Sequence, residues 1–277
     1  MKRKQLISEH ICELVLLVCT IIVWAPIYYF VIGAFKQRTD IVRYPLTITS
    51  EMFTGGNFSY ALDKMQFFTA LRNTGAITVA SLLIVIFCGS LAGFAISRVN
   101  LKIFKVYYSA LIALMVVPFI GTVIPLVVQS VQLNIYNTMI GPILIHSAWQ
   151  LPFSVFLYTG FMRGLPKELE EAAYIDGCSM FKVYFRIFLP LLAPVTATCC
   201  IRSGITIWND YLVSNALLNN ARMPTMMVGV RLFFGERVTE YGYAFAGVIA
   251  ASLPIIVLFL SLQKYFIKGL TAGSLKG

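Results

Sequence analysis

Charge is the scarcest property of this sequence. Asp, Glu, Lys and Arg make up 12% of its 277 residues, where a soluble domain carries about 25%. There are twelve acids and two histidines, His10 and His146, far apart in the chain. No G-x-x-x-x-G-K-[ST] phosphate loop, H-E-x-x-H or G-x-S-x-G occurs. The chain shows no means of hydrolysing ATP or running chemistry of its own, so no catalytic residue, metal site or cofactor is assigned to it. None of the six cysteines (Cys12, Cys19, Cys88, Cys178, Cys199, Cys200) has C-x-x-C spacing, and five lie in or beside apolar runs. That argues against a zinc site or disulfide framework and for small apolar side chains in a bundle.

What is abundant is apolar. Hydrophobic residues make up 58% of the chain, and mean hydropathy is +0.80. Net charge is +10, but the basic residues cluster beside long apolar runs, a pattern of membrane topology rather than of nucleic-acid binding. A crossing helix needs about 20 apolar residues. Six stretches qualify, at 11–35, 74–96, 106–129, 139–162, 189–212 and 244–267. Lys2, Arg3 and Lys4 precede the first. Its apolar run is too long for a signal-peptide core and no clear A-x-A site follows, so it reads as an uncleaved span.

With the N-terminus in the cytoplasm, inside segments hold thirteen Lys and Arg, and outside loops hold eight spread over long connections. The positive-inside rule then places both termini in the cytoplasm. Arg202 is left over, inside the fifth apolar run. Eight of the eleven prolines lie in or at the ends of spans. Each removes a backbone donor, and such helices either bend around a cavity or have neighbours that satisfy the freed carbonyls.

The segment 163–190 between spans four and five carries the sharpest signal. Pro166 suits a first helical turn, and Glu168, Glu170 and Glu171 suit the dipole behind it. Gly177 can end that helix. A second short helix over 180–188 would put Phe181, Tyr184, Phe185 and Phe188 on one side, and Pro190 would start the next span.

Glu171-Ala172-Ala173, Gly177 four residues on, and Ile187-x-Leu189-Pro190 resemble the EAA loop of ABC-importer permeases. With Pro166, Leu169 and Asp176-Gly177, the loop looks like the carbohydrate-uptake branch, specifically the second, smaller permease of the maltose type. The resemblance extends along most of the chain. It includes Arg72-Asn73-Thr74, 94–98 (FAISR), Val117-Pro118, 124–126 (IPL), 208–212 (WNDYL) and the tail around 269–277, similar to the GLTAG ending of that subunit. Cys178 stands where the family usually has Ala.

The resemblance implies an all-α polytopic protein with six transmembrane helices, the type I ABC importer permease fold, and a single permease domain over 1–277. It implies a loop that docks on a partner ATPase subunit, with Glu168, Glu171, Ala172, Ala173, Asp176, Gly177, Leu189 and Pro190 as the ATPase-coupling set. ATP and Mg would then sit on that partner. It also implies a homologous permease subunit, an extracytoplasmic sugar-binding protein met by the external loop 213–243, a cytoplasmic tail 268–277 touching the ATPase pair, and a bacterial inner (cytoplasmic) membrane location.

Thr198, Arg202, Thr206 and Asn209 fall on one helix face. A charge near mid-membrane normally faces a partner or a wet cavity. These residues, with Trp208 beside them, Asp210, and the i, i+4 pair His146 and Gln150, are the substrate-path candidates. Helix–helix bridging between subunits is the competing role. The function implied is the permease subunit of an ATP-driven, binding-protein-dependent importer of a sugar, an oligosaccharide in particular. A polyol permease stays open. An ion-coupled carrier should carry coupling acids inside its spans, and a phosphotransferase component a phosphorylatable His or Cys site; neither is evident.

Overall fold

A computed structural model describes residues 2–219, 221–235 and 240–274, with side chains over 10–261 of those ranges. Among them the regular elements are helical. In chain order they are α1 Lys2–Gly33, α2 Arg38–Arg43, α3 Gly56–Lys64, α4 Phe67–Arg98, α5 Lys102–Leu114, α6 Val123–Gln132, α7 Ile140–Arg163, α8 Glu168–Ile175, α9 Met180–Val183, α10 Leu189–Leu191, α11 Ala193–Trp208, α12 Leu212–Leu217, α13 Met226–Arg231 and α14 Tyr241–Ser274.

Four helices are long and apolar enough to cross a membrane: His10–Gly33, Phe67–Arg98, Ile140–Arg163 and Tyr241–Ser261. The third and fifth expected spans are not single rods. Lys102–Leu114 and Phe119–Gln132 meet at 100°, and Met180–Leu191 and Ala193–Trp208 meet at 70°. Six spans result if each bent pair is one crossing. Proline accounts for both breaks. Pro118, with extended backbone, precedes a tight turn at Phe119–Thr122. Pro190 opens only the three-residue α10, and Pro194 sits in the first turn of α11, where no backbone donor is needed. The longer arm of this bent pair thus starts at Ala193, with Pro190 in the short arm before it. Pro26, Pro152 and Pro254 lie beyond the first turn of their helices.

The chain divides into two compact units. One comprises 1–67 with 229–253. Its core is Ala34, Ile41, Ala61, Phe233, Ala244, Phe245 and Ala246. Asn57 donates to the Ala34 and Lys36 carbonyls at 2.9 and 2.7 Å, so the chain after α1 is pinned to α3. Fully buried Lys36 donates through Nζ to the Tyr44 carbonyl at 2.8 Å.

The other unit comprises 68–228 with 254–277. Its largest cluster joins Val85 and Phe94 of α4, Tyr158 and Met162 of α7, Ala173 of α8, Val183, Tyr184 and Phe188, and Val195 and Cys199 of α11. Gly89 and Gly93 let α4 and α7 close on each other. A Cβ on Gly93 would lie 2.7 Å from the Tyr158 Cβ and 3.1 Å from the Thr159 backbone nitrogen. The Ser154 hydroxyl donates to the Val85 carbonyl at 3.0 Å across this seam. Close approach through small residues replaces hydrophobic drive when helices pack in lipid.

The segment 213–243, expected from the sequence to be an external loop, buries several of its described residues. Pro224, Thr225, Met226 and Phe233 are buried, and the Pro224 carbonyl accepts from Asn73 at 2.9 Å. Glu236 and Arg237 lie outside the described residues. At the other end, 268–274 continue α14 as helix, and 275–277 lie outside the described residues.

Candidate functional site

Two sets of residues stand out, both in the unit 68–228. The first is a hook between α7 and α11. Helix α8 begins with Glu168, Glu170 and Glu171 in its first turn, where the helix dipole favours acids. It ends as a Schellman motif. Gly177 takes a φ of 75°. Its N–H donates to the Tyr174 carbonyl at 3.0 Å, and the Cys178 N–H donates to the Ala173 carbonyl at 2.9 Å. Ser179 then accepts from the Lys182 N–H and caps α9.

Glu168, Glu171, Ala172, Asp176 and Gly177 are exposed together on the hook. Ala173 is not: it is buried, in the cluster that also holds Val183 and Tyr184. Leu189 and Pro190 are exposed at the far end of the loop, on α10. The second short helix covers the expected 180–188, but only its first four residues are α-helical. After four residues of α9 the backbone widens into a π turn over Tyr184–Phe188. Wider turns rotate the following side chains, and such insertions cluster at functional sites. Tyr184 and Phe188 are buried, while Phe181 is 74% exposed and Phe185 faces out. The four aromatics are therefore split between two faces.

One residue behind the hook was not singled out from sequence beyond its place at the end of span two. Arg98, the last residue of α4, has a side chain 5% exposed, with Nε 3.5 Å from the Glu170 carboxylate. Its Nη2 donates to the Met162 and Leu165 carbonyls at 3.0 and 3.1 Å. Its guanidinium lies over the Phe188 ring at 4.9 Å.

The second set surrounds a cavity of about 370 Å³ lined by His146, Trp149, Gln150, Thr206, Asn209 and Asp210, among others. His146 and Gln150 are buried and share a face of α7, as their spacing predicted. Arg202 donates to the Gln150 Oε1, and its guanidinium stacks 4.2 Å over the Phe153 ring. It also lines a neighbouring 210 Å³ cavity with Trp149 and Pro152.

The expected members have further partners or places in the fold. Asp210 caps α12, accepting from the Val213 and Ser214 N–H groups at 3.0 and 2.9 Å, and faces His146 Nε2 at 3.4 Å. Trp208 is buried rather than beside the cavity. The aromatics at the cavity are Phe119, Trp149 and Tyr211; Trp149 packs against Phe119 at 4.6 Å, and nothing local in the sequence distinguishes it from other span residues. Thr198 lies at a separate apolar cavity with Phe156, Pro194 and Val195. The hydroxyls of Thr198 and Thr206 donate to their own helix, at Pro194 and Arg202, leaving only acceptor capacity. Among the described residues no His, Cys, Asp and Glu group is placed to hold a metal ion.

Four membrane-length helices, or six crossings if each bent pair counts as one, mark a multi-pass membrane protein. The chain belongs to the family of binding-protein-dependent transport system inner membrane components, whose model matches residues 85–272. It is a permease subunit, not an enzyme. It is 42% identical over 222 residues, 80% of either chain, to the melibiose/raffinose/stachyose import permease protein MelC of Bacillus subtilis (strain 168). It is 29% identical, over 99% of both chains, to the AmyC protein of Thermoanaerobacterium thermosulfurigenes, described as a probable starch degradation products transport system permease. A chain from the crystal structure of a bacterial ABC transporter involved in alginate import superposes with a TM-score of 0.81 at 18% identity, covering 95% of this chain and 98% of that one. That likeness speaks to fold alone.

Proposed function

We propose that this chain is the smaller of two homologous membrane subunits in an ATP-driven importer of sugars, oligosaccharides in particular. It works with a pair of ATPase subunits, which hold the ATP and Mg, and with an extracytoplasmic sugar-binding protein in a bacterial inner membrane. Both termini are cytoplasmic on this reading, supported by the thirteen-to-eight excess of inside Lys and Arg. The sugar assignment is supported by the relatives' names. Family membership sets aside the ion-coupled carrier.

The observation that carries the mechanism is the hook. A short acidic helix ended by a glycine that takes left-handed angles presents Glu168, Glu171, Ala172 and Asp176 on one exposed, locally rigid surface. Closure of the ATPase pair pushes this surface, the bundle alternates between inward and outward openings, and sugar enters from the binding protein. Thr206, Asn209, Arg202, Gln150 and His146 line the path on this subunit's side. The permease makes and breaks no bonds.

Pull-down of tagged chain from its native membrane in mild detergent tests this, with and without Gly177→Asp. Recovery of an ATPase with the intact chain and its loss with the variant are expected. Absence of any ATPase across several detergents would overturn the importer reading.

A further inference from the structure

The hook carries two adjacent glutamates with opposite surroundings. Glu171 is exposed, whereas the Glu170 side chain is 13% exposed and faces Arg98. Consecutive helical residues point about 100° apart, so one helix offers one carboxylate outward and the other inward. A buried charge is costly unless it is paired. Arg98 has partners on four different segments: an ion pair with Glu170 on α8, hydrogen bonds from Nη2 to the Met162 carbonyl on α7 and to the Leu165 carbonyl just past it, and the Phe188 ring in the π turn; its Nε makes no hydrogen bond and faces the Glu170 carboxylate. The planar guanidinium fixes the relative directions of those contacts. A second polar tether joins the same two regions: Ser90 Oγ and Tyr184 Oη, both buried, are 2.6 Å apart.

We infer that Arg98 is a positioning residue for energy coupling: through Glu170 it converts displacement of the hook's outer face into movement of α4 and α7. This rests on the coupling role proposed above for the hook. The covalent route from α8 to α11 runs through the π turn and the bend at Leu192, neither of which is a stiff rod. The Arg98 contact bypasses both. It reaches the end of α4, a 32-residue helix seated directly on α7. A push on α8 is thereby delivered to a rigid pair of spans instead of being absorbed in the loop. The division of labour is specific: Glu171 meets the ATPase, and Glu170 meets Arg98.

The test uses the whole transporter, purified with its ATPase from native membrane. The permease carries Thr206→Cys in a background lacking its six cysteines. ATP hydrolysis is measured alongside the change in thiol labelling at position 206 when ATP and vanadate trap the closed ATPase. Glu170→Gln and Arg98→Lys keep the side chains' bulk and are the working variants, because Arg98→Ala risks misfolding. Both should retain ATPase recovery and hydrolysis, while the ATP-driven labelling change falls by about five-fold, within the range by which single residues modulate coupling between sites. The double variant should be no worse than either single one.

A merely structural role would lower recovery and labelling together and leave their ratio untouched; that result overturns the inference. So does a labelling change equal to that of the unsubstituted pair, or a loss of ATPase binding in Glu170→Gln. If the unsubstituted chain recovers an ATPase but shows no ATP-driven change, there is no motion to transmit and the inference falls. If it recovers no ATPase, the importer reading itself has failed.

Discussion

Arg98 ends one membrane-length helix and Arg202 lies inside another, and their surroundings differ in kind. Arg98 is enclosed, with an acid, two carbonyls and a ring around it. Arg202 is exposed in this chain, with one amide oxygen and one ring. The enclosed arginine behaves as a fastener, whereas the exposed one keeps donors free for something else. Burial of an ion pair is not evidence of stability by itself, since desolvation offsets the attraction, but removing one partner leaves an uncompensated buried charge. The two arginines should therefore respond very differently to truncation.

The largest effect expected is Arg98→Ala, at about 3–5 kcal/mol of stability. Arg202→Ala should cost less than about 2 kcal/mol, the scale of a cation–π contact with a single hydrogen bond. Thermal unfolding in detergent compares them, and equal losses would break the contrast. Next is the seam that holds Arg98 in place. Gly93→Leu drives a side chain into Tyr158 and the α7 backbone and should cost about 1–3 kcal/mol or more. Gly204→Ala on α11 meets only the Leu82 Cδ1 at 3.5 Å, an ordinary contact, and should leave the melting temperature unchanged. A permease that tolerates Gly93→Leu would mean that α4 and α7 are not rigidly paired.

Chemical access sharpens the same contrast without relying on stability. In a background lacking the six cysteines, Arg202→Cys should react with a water-soluble thiol reagent in at least one transport state, and Arg98→Cys in none. Failure of position 202 to label in every state would make it a helix-bridging residue and remove it from the path.

The hook was largely legible in the sequence because its determinants are local. An acidic first turn, a glycine and a following small residue build the Schellman motif within eleven residues, 168–178. What escaped was long-range or depended on backbone path. Arg98 meets partners 64 to 67 residues away for its carbonyl bonds, and no periodicity in one segment reveals that. The breaks in the third and fifth spans were hidden because hydropathy sums over a bend as easily as over a rod, although Pro118, Pro190 and Pro194 marked them. The Gly89-Ser90-Leu91-Ala92-Gly93 stripe was visible as small residues four apart and could have announced the α4–α7 contact. Ala173 was placed on the surface with Ala172 because a motif does not say which face of its helix is buried.

The smallest predicted effect concerns the aromatic that changed places. Sequence proximity put Trp208 beside the polar stripe of α11, but its side chain is buried, and Trp149 on α7 lines both the cavity that Arg202 lines and the one lined by His146, Gln150 and Thr206. An aromatic face beside hydroxyl-binding groups is an arrangement that suits a sugar ring, whose C–H face is apolar. Trp149→Phe keeps a face but loses area and the indole N–H, so it should weaken transport by less than about 1 kcal/mol, a few-fold in apparent half-saturation for whichever radiolabelled sugar the intact transporter takes up. Trp149→Ala should exceed it, and Trp208→Phe should act on stability without moving half-saturation. If Trp208→Phe shifts half-saturation and Trp149→Ala does not, the cavity beside Arg202 is not where sugar passes, and the exposed arginine loses its proposed role along with it.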